Sequence, residues 1–271
     1  MKIALATICP NARQRANLKV VRPTWEVYAK RHNLPILVVE NPPHREHFYW
    51  GKYFPLTLAE FSGFDAVLVL DNDILINADS PPITDGWDPD KIAIADEREQ
   101  FAWVEDFVAQ YYAAYPDLRS EALKHARVLN TGVLLYTRAH VPIFQEVHAQ
   151  WLEWRKRASA ADRESHAFKY AADQPHISLA LQTSNRAQVL PPAFNRLWWS
   201  WYRQRGRFPW RAFQAYAKAS SIAEKIAPRA LAGLVARPGA QALERAVSEC
   251  HFLHIAGSKS PIWLFAHRAS A

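Results

Sequence analysis

The chain has 271 residues, 49% of them hydrophobic and 22% charged, which supplies ample core, excludes wholesale disorder and fits one compact domain with an appendage. Its net charge of +7 is local: residues 195–250 hold ten basic against three acidic residues, and the remaining 23 basic and 23 acidic residues cancel, so a basic surface is expected only there. Two cysteines, Cys9 and Cys250, stand near opposite ends; that is no disulfide framework and points to a reducing cytoplasm, and no stretch reaches the roughly 18 apolar residues of a membrane span.

The opening MKIALATICPN is too short in its apolar run for a signal peptide and predicts a buried strand over Ile3–Ile8. A helix follows over Asn17–Arg31, then a strand over Ile36–Glu40 and a helix over Lys52–Phe61. Ala66–Leu70 reads AVLVL. Continuous rather than alternating apolar residues mean a strand covered on both faces, hence a central and parallel one. Ile92–Ala95 and Val128–Tyr136 are further strands, the latter interrupted by glycine. Val141–Trp154 and Gln174–Gln182 have helical spacing, and Val189–Leu190 is a short strand. The texture then changes: Trp198–Phe213 packs four tryptophans, one tyrosine and four arginines into 16 positions. A helix is expected over Ala212–Ala227, and strand character returns at His251–Ile255. The predicted organisation is an α/β core over 1–194, a basic, aromatic-rich helical appendage over 195–250, and a final strand and loop over 251–271.

The sharpest local feature is VLVLDNDILI, Val67–Ile76. In an extended backbone Asp71 and Asp73 point to the same side, with alpha carbons roughly 6–7 Å apart. They stand where a buried strand ends, the edge at which open α/β sheets bind ligands. Two such carboxylates repel unless a cation or shared proton intervenes, and hard oxygen ligands suit Mg²⁺ or Mn²⁺ bridging to a diphosphate. The competing reading is an Asx-turn at a strand exit. Asn130-Thr131-Gly132 interrupts a buried strand: Gly132 permits close approach to a ligand and Asn130 suits sugar hydroxyls, or the pair marks a bulge beside a satisfied asparagine. Asp173-Gln174-Pro175 carries polar groups at a helix start, where Asp173 also qualifies as an N-cap. His254 and Lys259 flank the turn at Gly257, offering an imidazole for a metal and an ammonium for phosphate.

Taken in order, LVLDNDILI, LNTGVLLY, ADQPHISLAL, LPPAFNRLW and HIAGSK resemble the retaining glycosyltransferases of the glycogenin and bacterial lipopolysaccharide galactosyltransferase family (family 8-like), as a divergent relative. The resemblance implies a GT-A nucleotide-sugar-binding fold with a mostly parallel central sheet. It implies Asp71, Asp73 and His254 as ligands of Mn²⁺ or Mg²⁺, with Asp71 also on the nucleotide. Lys259 and Gly257 would meet the donor diphosphate, Asn130 and Gly132 the donor sugar, and Lys52 would be the basic donor contact. Asp173 and Gln174 would lie at the reacting carbon. The partners implied are a UDP-sugar donor and a glycan or lipid-linked glycan acceptor. Where the family has an aspartate-containing nucleobase loop, this chain has Asn11, Arg13 and Arg15.

Retention has two routes. Asp173 is the matched candidate for a covalent nucleophile, and the alternative is a front-side reaction in which the leaving phosphate helps deprotonate the acceptor. Other functions compatible with the residues are a sugar-nucleotide hydrolase, a nucleotidyltransferase, or a non-catalytic nucleotide-sugar-binding scaffold; the glycine-rich phosphate loop with lysine is missing. In the appendage, Trp198, Trp199, Trp201, Tyr202, Phe208 and Trp210 interleave with Arg203, Arg205, Arg207 and Arg211. That composition fits peripheral attachment to the anionic inner face of a membrane or contact with an acidic glycolipid, or else a locally packed helical hairpin. No nucleic-acid partner is expected.

Overall fold

The computed structural model describes residues 1–97, 121, 124, 127–157, 173–205 and 241–255. In chain order the elements are β1 (Ile3–Ile8), α1 (Ala12–Arg31), β2 (Ile36–Val39), β3 (Ala66–Leu70), β4 (Ile74–Ile76), β5 (Ile92–Asp96), β6 (Leu129–Thr137), α2 (Val141–Arg157), α3 (Gln174–Thr183), β7 (Ala187–Leu190), β8 (Arg196–Leu197), α4 (Trp198–Arg205) and β9 (Phe252–His254). They divide into two compact units. The first comprises Met1–Pro10, Leu34–Asp71 and Ile83–Pro192; the second comprises Asn11–Asn33, Asn72–Pro82 and the chain from Ala193.

The first unit is an α/β layer built on a sheet in the order β2-β1-β3-β6-β5-β7. Three of its five pairings are parallel, β1–β2, β1–β3 and β5–β7, while β6 runs against both neighbours. β3 is therefore central and fully buried as expected, but parallel on one side only. One face of the sheet is covered by α2 and the segment before β3, whose rings interlock: Trp50 meets Trp151 at 5.3 Å between centroids and Tyr53 meets Phe144 at 4.9 Å. Such offset and tilted ring pairs add to what burial alone contributes.

That segment is not the helix expected over Lys52–Phe61. It forms three 3-10 turns, Arg45–Tyr53, Pro55–Thr57 and Ala59–Phe61. Pro55 has no N–H to give and disfavours a helical Phe54, which sits at φ −119° and ψ 10°. The outcome is a compact run that buries Trp50, Lys52 and Tyr53 together.

In the second unit, α1 begins five residues before the expected Asn17, because Asn11 caps it: its side chain accepts from the Gln14 N–H at 3.1 Å. Leu18, Val21, Trp25, Tyr28 and Ala29 form its buried stripe, which packs on a small sheet in the order β4-β9-β8. Trp25 Nε1 donates to the Ile74 carbonyl at 2.7 Å, and the Tyr28 ring stands edge-on to Phe252 at 5.3 Å. β4 and β8, of three and two residues, are too short for any periodicity to reveal.

Three rings of the tryptophan-rich segment are core rather than surface. Trp198, Trp201 and Tyr202 are buried; the two indoles stack at 5.6 Å, and Trp201 Nε1 donates to Glu249 at 2.9 Å. These three rings belong to the core of the second unit. Phe208, Trp210, Arg207, Arg211 and the helix expected over Ala212–Ala227 lie outside the described residues. No described helix is long and apolar enough to cross a membrane.

Candidate metal and donor site

β3 delivers Asp71 at its carboxyl end, where the Asp71 N–H extends the ladder to the Gly132 carbonyl at 2.9 Å. Opposite, β6 bulges: Ile94 pairs with Leu134 but Ala95 pairs with Asn130, so the intervening residues leave the β5 register. The bulge, the alternative reading of Asn130-Thr131-Gly132, is thus present. Asn130 Oδ1 accepts from the Gly132 N–H at 2.8 Å and its Nδ2 donates to the buried Glu97. Those two bonds hold the amide in one orientation.

Lys52 is buried beneath this strand end. Its Nζ donates to Thr131 Oγ1 at 3.0 Å and to Asp71 Oδ1 at 3.3 Å, and pairs with Asp173 Oδ2 at 3.3 Å. Burial works to lower the Lys52 pKa, but the charges of Asp173 and Asp71 outweigh it and the net shift is upward. Lys52 is therefore an ammonium throughout the physiological range. Asp173 also accepts from the Tyr53 hydroxyl at 2.6 Å and from Thr131 Oγ1 at 3.3 Å. Burial, reinforced by the Asp173 charge, pushes the Tyr53 phenol well above its ordinary pKa, so it stays a donor. Asp173 does occupy the position before α3, yet its side chain makes no capping bond. The expected cap is a buried ion-pair partner instead. Gln174 opens α3 beside it, half-buried.

After Asp71 the chain turns through Asn72 and Asp73 into β4. β4 pairs with β9 so that Ile74 faces His254, and the Ile255 N–H donates to the Asp73 carbonyl at 3.0 Å. This register brings His254 Nε2 to 3.3 Å from Asp73 Oδ1. One ligand atom from each of Asp71, Asp73 and His254 lies within 4.8 Å of the others. The buried His254 has its Nδ1 at 3.0 Å from Oδ1 of the buried Asn195. When Nδ1–H donates there, the Nε2 lone pair faces a carboxylate oxygen, a contact that repels unless a cation or proton lies between. Two carboxylates and an imidazole so placed fit a divalent ion such as Mn²⁺ or Mg²⁺.

The structure thus brings Lys52, Asp71, Asn130, Gly132 and Asp173 together in the first unit and gathers Asp71, Asp73 and His254 into one ligand set. Gly257 and Lys259 lie outside the described residues. Four supporting residues escape sequence reasoning: Tyr53, Thr131, Glu97 and Asn195. The only signals for them were adjacency, Tyr53 to Lys52 and Thr131 to Asn130, and the place of Asn195 within LPPAFNRLW.

No protein-family model matches the chain, and no curated protein matches it in sequence. Among solved structures it is similar to a glycosyltransferase involved in the glycosylation of the major capsid of PBCV-1, at 14% identity and TM-score 0.50, covering 100% of both chains. It is also similar to the WbbM bifunctional glycosyltransferase, at 11% identity and TM-score 0.53; the match covers 97% of this chain and 49% of that one. The sheet order and these likenesses show that the chain shares the α/β, GT-A-like fold of those solved structures.

Proposed function

We propose that the protein is a divalent-metal-dependent glycosyltransferase that moves a sugar from a nucleotide diphosphate sugar, a UDP-sugar, to a glycan or glycolipid acceptor with retention. The observation that carries this reading is the Asp71, Asp73 and His254 ligand set at the carboxyl end of the central strand of a GT-A-like fold. A Mn²⁺ or Mg²⁺ held there would supply positive charge to stabilise the leaving diphosphate. Asp71, Asp73 and His254, the last oriented by Asn195, would hold the ion. On this reading Gly257 and Lys259 would meet the donor phosphates, and Lys52 would be the basic group on the donor side of Asp71. Asn130 and Gly132 meet the donor sugar, and Gln174 offers an amide dipole near the reacting carbon. Asp173, buried and engaged by three partners on one oxygen, is a poor nucleophile, which favours the front-side route.

The chain reads as a divergent relative of the glycogenin and lipopolysaccharide galactosyltransferase enzymes. It works in the cytoplasm, where its free cysteines stay reduced. The basic segment 195–250 attracts a lipid-linked acceptor or an anionic inner membrane face. That attraction comes from its arginines and not from Trp198, Trp201 or Tyr202.

The test is a thermal-shift screen of nucleoside diphosphates with and without Mn²⁺, since a ligand stabilises by RT ln(1 + [L]/Kd). UDP is expected to raise the midpoint only when Mn²⁺ is present, and only while Asp73 is intact. A chain that no nucleoside diphosphate stabilises under either condition overturns the reading. Release of free sugar from UDP-sugar at full rate without acceptor would make it a hydrolase.

A further inference from the structure

We infer that Lys52 is a resident cation that competes with the divalent ion for Asp71, and that Asp173 is the carboxylate that retains the displaced ammonium. The inference rests on the metal-site reading above and concerns how that site is kept charge-balanced. An ammonium has three protons, and Lys52 has three acceptors: Thr131 Oγ1, Asp71 Oδ1 and Asp173 Oδ2. The two carboxylates differ in kind. The Asp71 side chain is 37% exposed and shares the ligand set with Asp73 and His254. The Asp173 side chain is 5% exposed and is fixed by Tyr53 at 2.6 Å and Thr131 at 3.3 Å.

A divalent ion that takes Asp71 therefore leaves Lys52 on Asp173 and Thr131, which do not move. Without Asp173, a buried ammonium would be left with one neutral acceptor, an arrangement of several kcal/mol penalty in general. The charges agree with this exchange. Asp71, Asp73 and Asp173 against Lys52 leave two negative charges, which one divalent ion cancels. Asp173 is in this respect a positioning residue acting through Lys52. The consequence is a metal site weaker than its ligands alone would make it, so that firm retention of the ion requires the added negative charge of the donor diphosphate.

A unit charge and a divalent ion about 6 Å apart repel enough to change affinity about tenfold even at the dielectric constant of water. The test is nucleotide-free Mn²⁺ titration of the full chain, read by electron paramagnetic resonance of the free ion. Variants are Lys52→Met, Lys52→Arg and Asp173→Asn, with Asp73→Asn as background. Lys52→Met is expected to tighten Mn²⁺ binding at least about tenfold, and Lys52→Arg to stay within about threefold of wild type. Asp173→Asn is expected to weaken binding, because Lys52 then pairs with Asp71 alone. Equal or weaker binding by a folded Lys52→Met overturns the inference. Should that variant not fold, unchanged or tighter binding by Asp173→Asn overturns it equally. If neither wild type nor a folded Lys52→Met binds Mn²⁺ above the Asp73→Asn background, the metal site fails first, a result distinguishable from failure of the competition.

Discussion

Asn195 offers the most discriminating test of the metal site, because it makes no contact that a sequence motif would advertise. It and His254 are both buried, and their Oδ1 to Nδ1 distance is 3.0 Å. Asn195→Ala removes this acceptor from a buried imidazole, and loss of a buried hydrogen-bond partner costs about 1–3 kcal/mol of metal-free stability. The same change frees the ring to adopt the tautomer that protonates Nε2, the atom facing Asp73 at 3.3 Å. Loss of such a partner behind a metal-bound histidine lowers affinity about 10–100-fold, or about 1.4–2.7 kcal/mol. Asn195→Asp keeps an acceptor and should retain wild-type binding or improve it. The assay pairs urea unfolding without metal with Mn²⁺ titration of the folded variants. Wild-type Mn²⁺ affinity in a folded Asn195→Ala would refute the idea that this contact orients a metal ligand.

Three further outcomes are expected. Asp73→Asn should abolish Mn²⁺-dependent transfer while leaving thermal unfolding nearly unchanged, since the half-buried side chain belongs to no apolar cluster; turnover with unaltered metal dependence would count against it. Burial lowers the His176 pKa to about 4, against a smaller opposing pull from Asp173. The folded state thus binds fewer protons there than the unfolded chain, so stability should fall by about 3 kcal/mol as pH drops from about 6.5 to 4, and urea unfolding of His176→Gln across that range should show a shallower slope. Changing Arg203, Arg205, Arg207 and Arg211 to glutamine should reduce co-sedimentation with anionic vesicles, most clearly at low salt; equal pelleting at every lipid composition and salt level would assign these arginines to solubility or packing.

Much of the core was legible because burial on both faces leaves a continuous apolar run. AVLVL at Ala66–Leu70 and IAIA at Ile92–Ala95 are such runs, and both are strands. Direction was not legible: nothing in LNTGVLLYT distinguishes a strand parallel to β3 from one that runs against it, as β6 does. The first turns of α1 were missed because they are mostly solvent-exposed and carry no apolar period, so only the cap at Asn11 announces them. The segment from Lys52 to Phe61 has enough apolar residues for a helical face, and a single proline decides the matter against it.

The site divides along a similar line. Asp71 and Asp73 stand out because two carboxylates at the end of an apolar strand have no bland neighbourhood to blend into. His254 is distant in sequence, and only the order of motifs linked it to them before β4–β9 pairing did so in space. Asp173 shows why the remainder was hidden. An aspartate before Gln-Pro at a helix start is a good N-cap on local grounds, and such a cap contributes about 1 kcal/mol. Here the same carboxylate accepts from Tyr53 and faces Lys52 in a buried setting, where hydrogen bonds to a charged group contribute about 1.5–3 kcal/mol each. The bonds to Tyr53 and Lys52 outweigh the capping bond, and the cap is forgone. Both partners come from the 3-10 segment before β3, so the choice is made by tertiary structure that no local pattern around Asp173 encodes. A helix start that declines its own capping bond is accordingly a marker of a side chain committed elsewhere, and at this site the commitment is to the ammonium that also touches the strand-end aspartate.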